Sequence, residues 1–177
     1  MTNTQRTLVV CYSRTGTTRK VADAIARALN NADCEQLQDT VNRAGVRGYL
    51  RSAMDGIFGR RTVLTGTRRD PRAYDLVVVG TPVWFGALSS PARTYLEENA
   101  GRLPAVAFFL THGGTGRDRA FAQMQRVSGA RPLALLSVRE ADVARGAFGL
   151  SVATFVTELE HAHAAAPLTP GASAVAH

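Results

Sequence analysis

Three short stretches of this chain concentrate residues that can grip a ligand through hydroxyls and bare backbone. The first is Ser13-Arg14-Thr15-Gly16-Thr17-Thr18, four hydroxyl side chains around one glycine. Such a run suits a phosphate if it opens a helix whose first amides are unpaired. A helix cap alone needs one Ser or Thr, so four exceed that need. The second is Gly80-Thr81-Pro82-Val83-Trp84-Phe85-Gly86, which sets the only tryptophan beside a phenylalanine. Two adjacent aromatics among turn formers offer a plane on which a flat ring can stack; the alternative is that Trp84 packs back on the fold. The third is Thr111-His112-Gly113-Gly114-Thr115-Gly116. Its glycines let backbone amides approach the edge of a heterocycle, and His112 either contacts the ligand or caps the loop. A phosphate grip, an aromatic plane and bare backbone together describe a planar cofactor carrying one phosphate.

Several other phosphate sites are excluded. A Walker loop needs Gly-Lys-Ser/Thr, and no lysine follows Gly16. The dinucleotide pattern G-x-G-x-x-G fails because Arg119 stands where the third glycine belongs after Gly114 and Gly116. A low-molecular-weight tyrosine phosphatase loop runs Cys, five residues, Arg; counted from Cys11, that position is Thr17. Cys11 is therefore expected in the core. His161 and His163, two apart, do not share a helix face, so no metal site is expected there.

The ligand stretches need elements to hold them. Thr7–Tyr12, Asp75–Gly80, Ala105–Leu110 and Pro132–Val138 are apolar runs that read as buried strands, with Cys34–Gln38 a weaker one. Helical spacing is found at Thr17–Asn31, Ser90–Asn99, Asp118–Val127 and Val143–Glu160. Strand and helix alternate, and the strands are apolar throughout, which predicts a parallel sheet covered on both faces. In such a sheet ligands bind beyond the carboxyl ends of the strands, where all three stretches fall.

A chain of 177 residues with 45% hydrophobic residues suits one domain. No apolar run is long enough to span a membrane, no secretory signal opens the chain, and two cysteines make no disulfide framework. A reducing cytoplasm is the expected location. The net charge of +7 is localised: from Arg43 to Arg72 eight arginines face two aspartates. Within that stretch Val46, Leu50, Met54 and Ile57 recur at helical intervals, predicting a basic helical insertion over about 44–69. Tyr49 and Phe58 share that packed face, and no nucleic-acid motif accompanies them, so the arginines read as a solvated surface. The insertion is a candidate homodimer contact. The segment 161–177, rich in Ala, Pro, Gly and Ser, is expected to be a disordered tail.

With SRTGTT, GTPVWFG and THGGTG in this order at three strand ends, the sequence resembles the flavodoxin family over residues 7–160. The resemblance implies a three-layer α/β fold, a five-stranded parallel sheet in order 2-1-3-4-5 with helices on both faces, and non-covalent FMN. It places the FMN phosphate on Ser13, Arg14, Thr15, Gly16, Thr17 and Thr18. Thr81, Pro82, Val83, Trp84, Phe85 and Gly86 would wrap the isoalloxazine, with Trp84 or Phe85 stacked on it and a peptide near Gly86 free to turn. Thr111, His112, Gly113, Gly114, Thr115 and Gly116 would serve its pyrimidine edge. Electron-carrier flavodoxins are strongly acidic, whereas this chain is basic and its three ligand stretches hold no acid before Asp118. The Thr-Pro-x-x-Phe-Gly pattern is also similar to flavodoxin-like quinone reductases. The expected activity is electron transfer through FMN to a redox partner protein. The alternative is an oxidoreductase using NAD(P)H and a small acceptor.

Overall fold

The computed structural model describes residues 5–30, 32–38, 64 and 69–165. The insertion expected over 44–69 lies outside them apart from Leu64 and Arg69, and so does the tail beyond Ala165. The chain runs β1 (Thr7–Cys11), α1 (Thr17–Ala28), β2 (Asp33–Gln36), a 3-10 turn at Pro71–Ala73, β3 (Leu76–Trp84) and β4 (Ala87–Leu88). It continues through α2 (Ser90–Glu98), β5 (Ala105–His112), α3 (Arg117–Ser128), β6 (Leu135–Arg139), α4 (Glu140–Ala144) and α5 (Gly149–Ala165). The five long strands are parallel in the order β2-β1-β3-β5-β6, as expected; β4 adds a short antiparallel pairing to β3.

Side chains alternate across the strands into two apolar layers. Leu8, Val10, Val77, Val79, Phe108 and Leu110 meet Tyr95 and Leu96 of α2 and Phe121 and Met124 of α3. Val9, Cys11, Val78, Ala107 and Phe109 meet Val21 and Ile25 of α1 and Phe155, Val156 and Leu159 of α5. Phe109 lies where a Cβ on Gly80 would stand, 1.9 Å from its ring, so only glycine lets β3 and β5 pack there. Cys11 is buried and its thiol is pushed up to about 12, first by desolvation, which agrees with a core role. Among the described residues no helix is long and apolar enough to cross a membrane.

Four expected boundaries move. The stretch Thr81–Trp84, read as loop, continues β3, paired with β5 through Thr81↔Leu110, Pro82↔Thr111 and Val83↔His112. Proline is tolerated because β1 has ended: its last pair is Cys11↔Gly80. The Gly80 carbonyl accepts from Tyr12 N, so alternation points the N–H-less residue 82 at that vacated flank. The single helix expected over Val143–Glu160 is two, α4 and α5. Gly146 at φ 70° ends α4, with Ala147 N donating to Asp142 O and Gly146 N to Val143 O, a Schellman closure. Helix α1 stops at Ala28 instead of Asn31 because Asn30 turns to φ 57°. At the other end, α5 continues into the expected tail as far as Ala165.

Candidate functional site

At the carboxyl edge of the sheet, between the ends of β1, β3 and β5, lies a cavity of about 490 Å³. That volume is in the range of small-molecule and cofactor pockets, roughly 300–1,000 Å³. Its floor at the β1 end is built by the start of α1. Gly16, at φ 86°, is the N-cap and supplies no side-chain hydrogen bond. Ser13 Oγ takes the Arg19 amide at 3.2 Å and thereby ties the loop to the helix. Around this N-terminus Arg14, Thr15, Thr17 and Thr18 line the cavity. Thr15 and Thr17 hydroxyls stand 3.2 Å apart, and a Cβ on Gly16 would enter open space. A helix N-terminus carries partial positive charge, and the threonines and the Arg14 cation border the same cavity.

The second wall is the end of β3. Pro82, Val83, Trp84 and Phe85 line the cavity, but the two aromatics differ. Trp84 is 9% exposed, held edge-on to Tyr12 with centroids 6.1 Å apart, and the Arg14 guanidinium lies 5.9 Å from its ring centroid. Of the two alternatives for Trp84, packing back on the fold is the one observed, and the residue still lines the cavity. Phe85 is 63% exposed. Pairing of Val83 with Leu88 and of Trp84 with Ala87 leaves Phe85 and Gly86 as a two-residue hairpin loop, at φ 51° and 72°. Two left-handed residues in succession make a type I′ turn, where glycine and asparagine are usual. A phenylalanine there costs about 1–2 kcal/mol, a strain that marks the mouth of the cavity.

The third wall is the end of β5, where Thr111, Gly113, Gly114 and Thr115 line the cavity. Thr111 and Thr18 share a buried hydroxyl bond of 2.8 Å, locking the β1 and β5 loops together. A Cβ on Gly113 or Gly114 would meet nothing within 4 Å. Gly116 is different. It caps α3 at φ 87°, and a Cβ there would lie 2.4 Å from Gly86 Cα. The two glycines let the β3 and β5 loops close on each other.

Ser13, Gly16, Thr81, Gly86, His112 and Gly116, all expected at the ligand, are not among the lining residues. Ser13, Gly86 and Gly116 brace the loops as described. Thr81 is fully buried and bonds Ser89, the N-cap of α2, at 2.9 Å. His112 is 4% exposed with Nδ1 unpaired. Burial, then Arg139 and Arg117, depress its proton affinity against the opposing pull of Glu140. One lining residue was not expected: Glu140, at the end of β6 and the start of α4. The sequence alone carried no signal for it, since the expected strand ends at Val138 and the expected helix begins only at Val143. The lining therefore pairs one cation, Arg14, with one anion. No cluster of metal-ligating residues occurs among the described residues.

The sequence matches the flavodoxin family model over residues 6–134. No curated protein matches it. The fold is similar to that of a flavoprotein from Lactobacillus acidophilus NCFM solved in complex with FMN, at 24% identity and TM-score 0.67, covering 80% of this chain and 97% of that one. It is also similar to a flavoprotein from Bacteroides uniformis ATCC 8492, at 22% identity and TM-score 0.69, covering 86% and 98%. An NADH:FMN oxidoreductase in its apo form shares the fold more distantly, at 15% identity and TM-score 0.52, covering 93% and 92%.

Proposed function

The chain belongs to the flavodoxin family, and from that premise we propose that it holds FMN non-covalently at the carboxyl edge of its sheet and passes electrons through it. The observation that carries this reading is the open N-terminus of α1 facing a cavity ringed by threonine hydroxyls. The residues present fit the cofactor: there is open space where a Gly16 Cβ would stand, a glycine-bare wall at Gly113 and Gly114, and an exposed aromatic at the mouth. Thr15, Thr17 and Thr18 with the first amides of α1 hold the phosphate, and the helix dipole offsets its charge. Arg14 adds a cation while covering Trp84. Phe85 and Trp84 bound the ring and keep water from one side of it. Backbone amides of Gly113 and Gly114 serve its polar edge. Bound FMN supplies reversible electron and hydride transfer, which the protein tunes but does not itself perform.

A second reading, reduction by NAD(P)H, is favoured by exposed arginines flanking the cavity. Arg139 precedes the lining Glu140, and the Arg119 Cδ lies 3.6 Å from where a Cβ on Gly86 would stand. The test is direct. FMN is titrated into the purified chain and its fluorescence quenching followed; riboflavin serves as the phosphate-free control. Saturable uptake of FMN with much weaker uptake of riboflavin is expected. Equal uptake of both would remove the phosphate cradle, and no uptake would remove the whole reading. Anaerobic NADH or NADPH then separates the two activities: rapid bleaching of the flavin bands assigns the reductase, and persistence of the bands until dithionite is added assigns the carrier.

A further inference from the structure

The turn at the mouth of the cavity poses a structural question. Phe85 and Gly86 are both left-handed, and the β4 strand that closes them contributes only two pairs. A two-residue strand is too short to impose a strained turn unaided. Its outward edge also presents the Gly86 carbonyl and the Leu88 amide, groups that a further strand would normally satisfy. Both residues are buried.

Gln123 of α3 fills that role. It is 8% exposed. Its Nε2 donates to the Gly86 carbonyl at 3.4 Å, and its Oε1 accepts from the Leu88 amide at 3.3 Å. The carboxamide makes the two bonds that a neighbouring peptide group would make. Arg93 Nη2, on α2, donates to the same Oε1 at 3.3 Å. Two donors on one end and a carbonyl on the other define which atom is oxygen and which is nitrogen. The chain of contacts thus runs from α2 through α3 to the strained turn.

We propose that Gln123 is a positioning residue that preforms the mouth of the cofactor site, holding the Phe85–Gly86 turn in its left-handed form before any ligand arrives. The role rests on the FMN reading, because the affinity it raises is that for FMN. It works by preorganisation: a turn already in place loses less freedom on binding. Without the clamp two buried backbone groups lose their partners, and the turn relaxes by bringing Phe85 back to negative φ, which carries its ring away from the mouth.

Gln123→Met keeps the size and removes both bonds. Gln123→Glu keeps the acceptor for Leu88 and Arg93 and loses the donor to Gly86. Val127→Ala, one turn beyond Gln123 on α3 and packed against the core, controls for plain loss of stability. Two readouts are taken: FMN affinity by fluorescence quenching, and hydrogen exchange of the Leu88 amide in the FMN-free chain. Gln123→Met is expected to bind FMN about tenfold more weakly and to lose Leu88 protection, with Gln123→Glu between it and the parent. Val127→Ala is expected to unfold more easily yet bind FMN within about twofold of the parent. The role is overturned if Gln123→Met binds as tightly as the parent, or if Val127→Ala weakens binding equally. Should the parent itself not bind FMN, the FMN reading falls with this role, while Leu88 exchange still reports whether the clamp exists.

Discussion

Replacing Gly116 by alanine tests the loop-against-loop closure at a single atom. The new Cβ would stand 2.4 Å from Gly86 Cα and 3.0 Å from Gly86 N. Carbon atoms rest at about 3.5–4.0 Å, so the turn and the start of α3 must part by an ångström or more. Both neighbours are backbone, so no side chain can swing aside. Overpacking of this kind costs about 1–3 kcal/mol, and an alanine in the left-handed region adds about 1–2 kcal/mol. Gly16 isolates the second contribution: its φ of 86° matches the 87° of Gly116, but nothing lies within 4 Å of its Cβ position. The expected losses are therefore about 2–5 kcal/mol for Gly116→Ala and about 1–2 kcal/mol for Gly16→Ala. At about 2–4 °C per kcal/mol for a chain of this size, the two midpoints should separate clearly in thermal unfolding of the FMN-free protein. Binding should rank the other way, because Gly16 caps the helix whose first amides are assigned to the phosphate and stands between Thr15 and Thr17. A Gly116→Ala chain no less stable than Gly16→Ala would refute the contact.

The Thr18–Thr111 hydroxyl pair is buried at 2.8 Å, so Thr18→Val or Thr111→Val alone strands a buried hydroxyl at about 1–3 kcal/mol, whereas the double variant should recover most of that loss. A thermodynamic cycle of urea unfolding curves checks it, and purely additive losses would contradict the pairing. Phe85→Asn should raise the midpoint of the FMN-free chain by roughly 2–4 °C, since asparagine tolerates the left-handed region, while weakening FMN binding; a lowered midpoint would show that Phe85 carries no strain. His112 binds its proton more weakly in the fold than its ordinary value of 6.5. The unfolded chain therefore takes up more protons as pH falls below that value. Stability should be complete above it and decline beneath it until the folded imidazole protonates too. His112→Leu should flatten that slope in urea midpoints measured against pH, and an unchanged slope would place the dependence elsewhere.

The sheet was legible because burial on both faces leaves no polar alternation in Leu8–Cys11, Leu76–Val79 or Val106–Leu110. The extension of β3 was not. Thr81-Pro82 reads as a break in isolation, and it pairs only because β1 stops at Cys11 while β5 runs on to His112. Of the expected ligand residues, most of each stretch reached the cavity, among them Thr15, Thr17, Pro82, Trp84, Gly113 and Gly114. Those that failed to reach it, such as Thr81 and His112, sit on strand positions whose direction depends on where each strand ends. Gln123 was invisible for a related reason: a glutamine on an amphipathic helix looks like surface until β4 is found against it. Glu140 likewise looks like an ordinary first-turn acid until the cavity is seen to open at α4.

The charge of the chain bears on how a phosphate would be held. Eight arginines lie between residues 43 and 72, yet the lining of the cavity balances Arg14 against Glu140. A phosphate bound by a general basic field would be released steeply by salt. One held by hydroxyls and helix amides over hydrogen-bond distances would not, because screening acts on separations of a Debye length, about 14 Å at 0.05 M and about 4 Å at 0.5 M. Arg14 is exposed, so its pairing with the phosphate is worth at most about 1 kcal/mol, or roughly fivefold in affinity. FMN affinity should therefore fall by no more than about fivefold between those two salt concentrations, and Arg14→Gln should remove most of that dependence. A fall of a hundredfold or more would mean that the arginine-rich stretch reaches the ligand after all, and the short-range cradle at α1 would no longer account for binding.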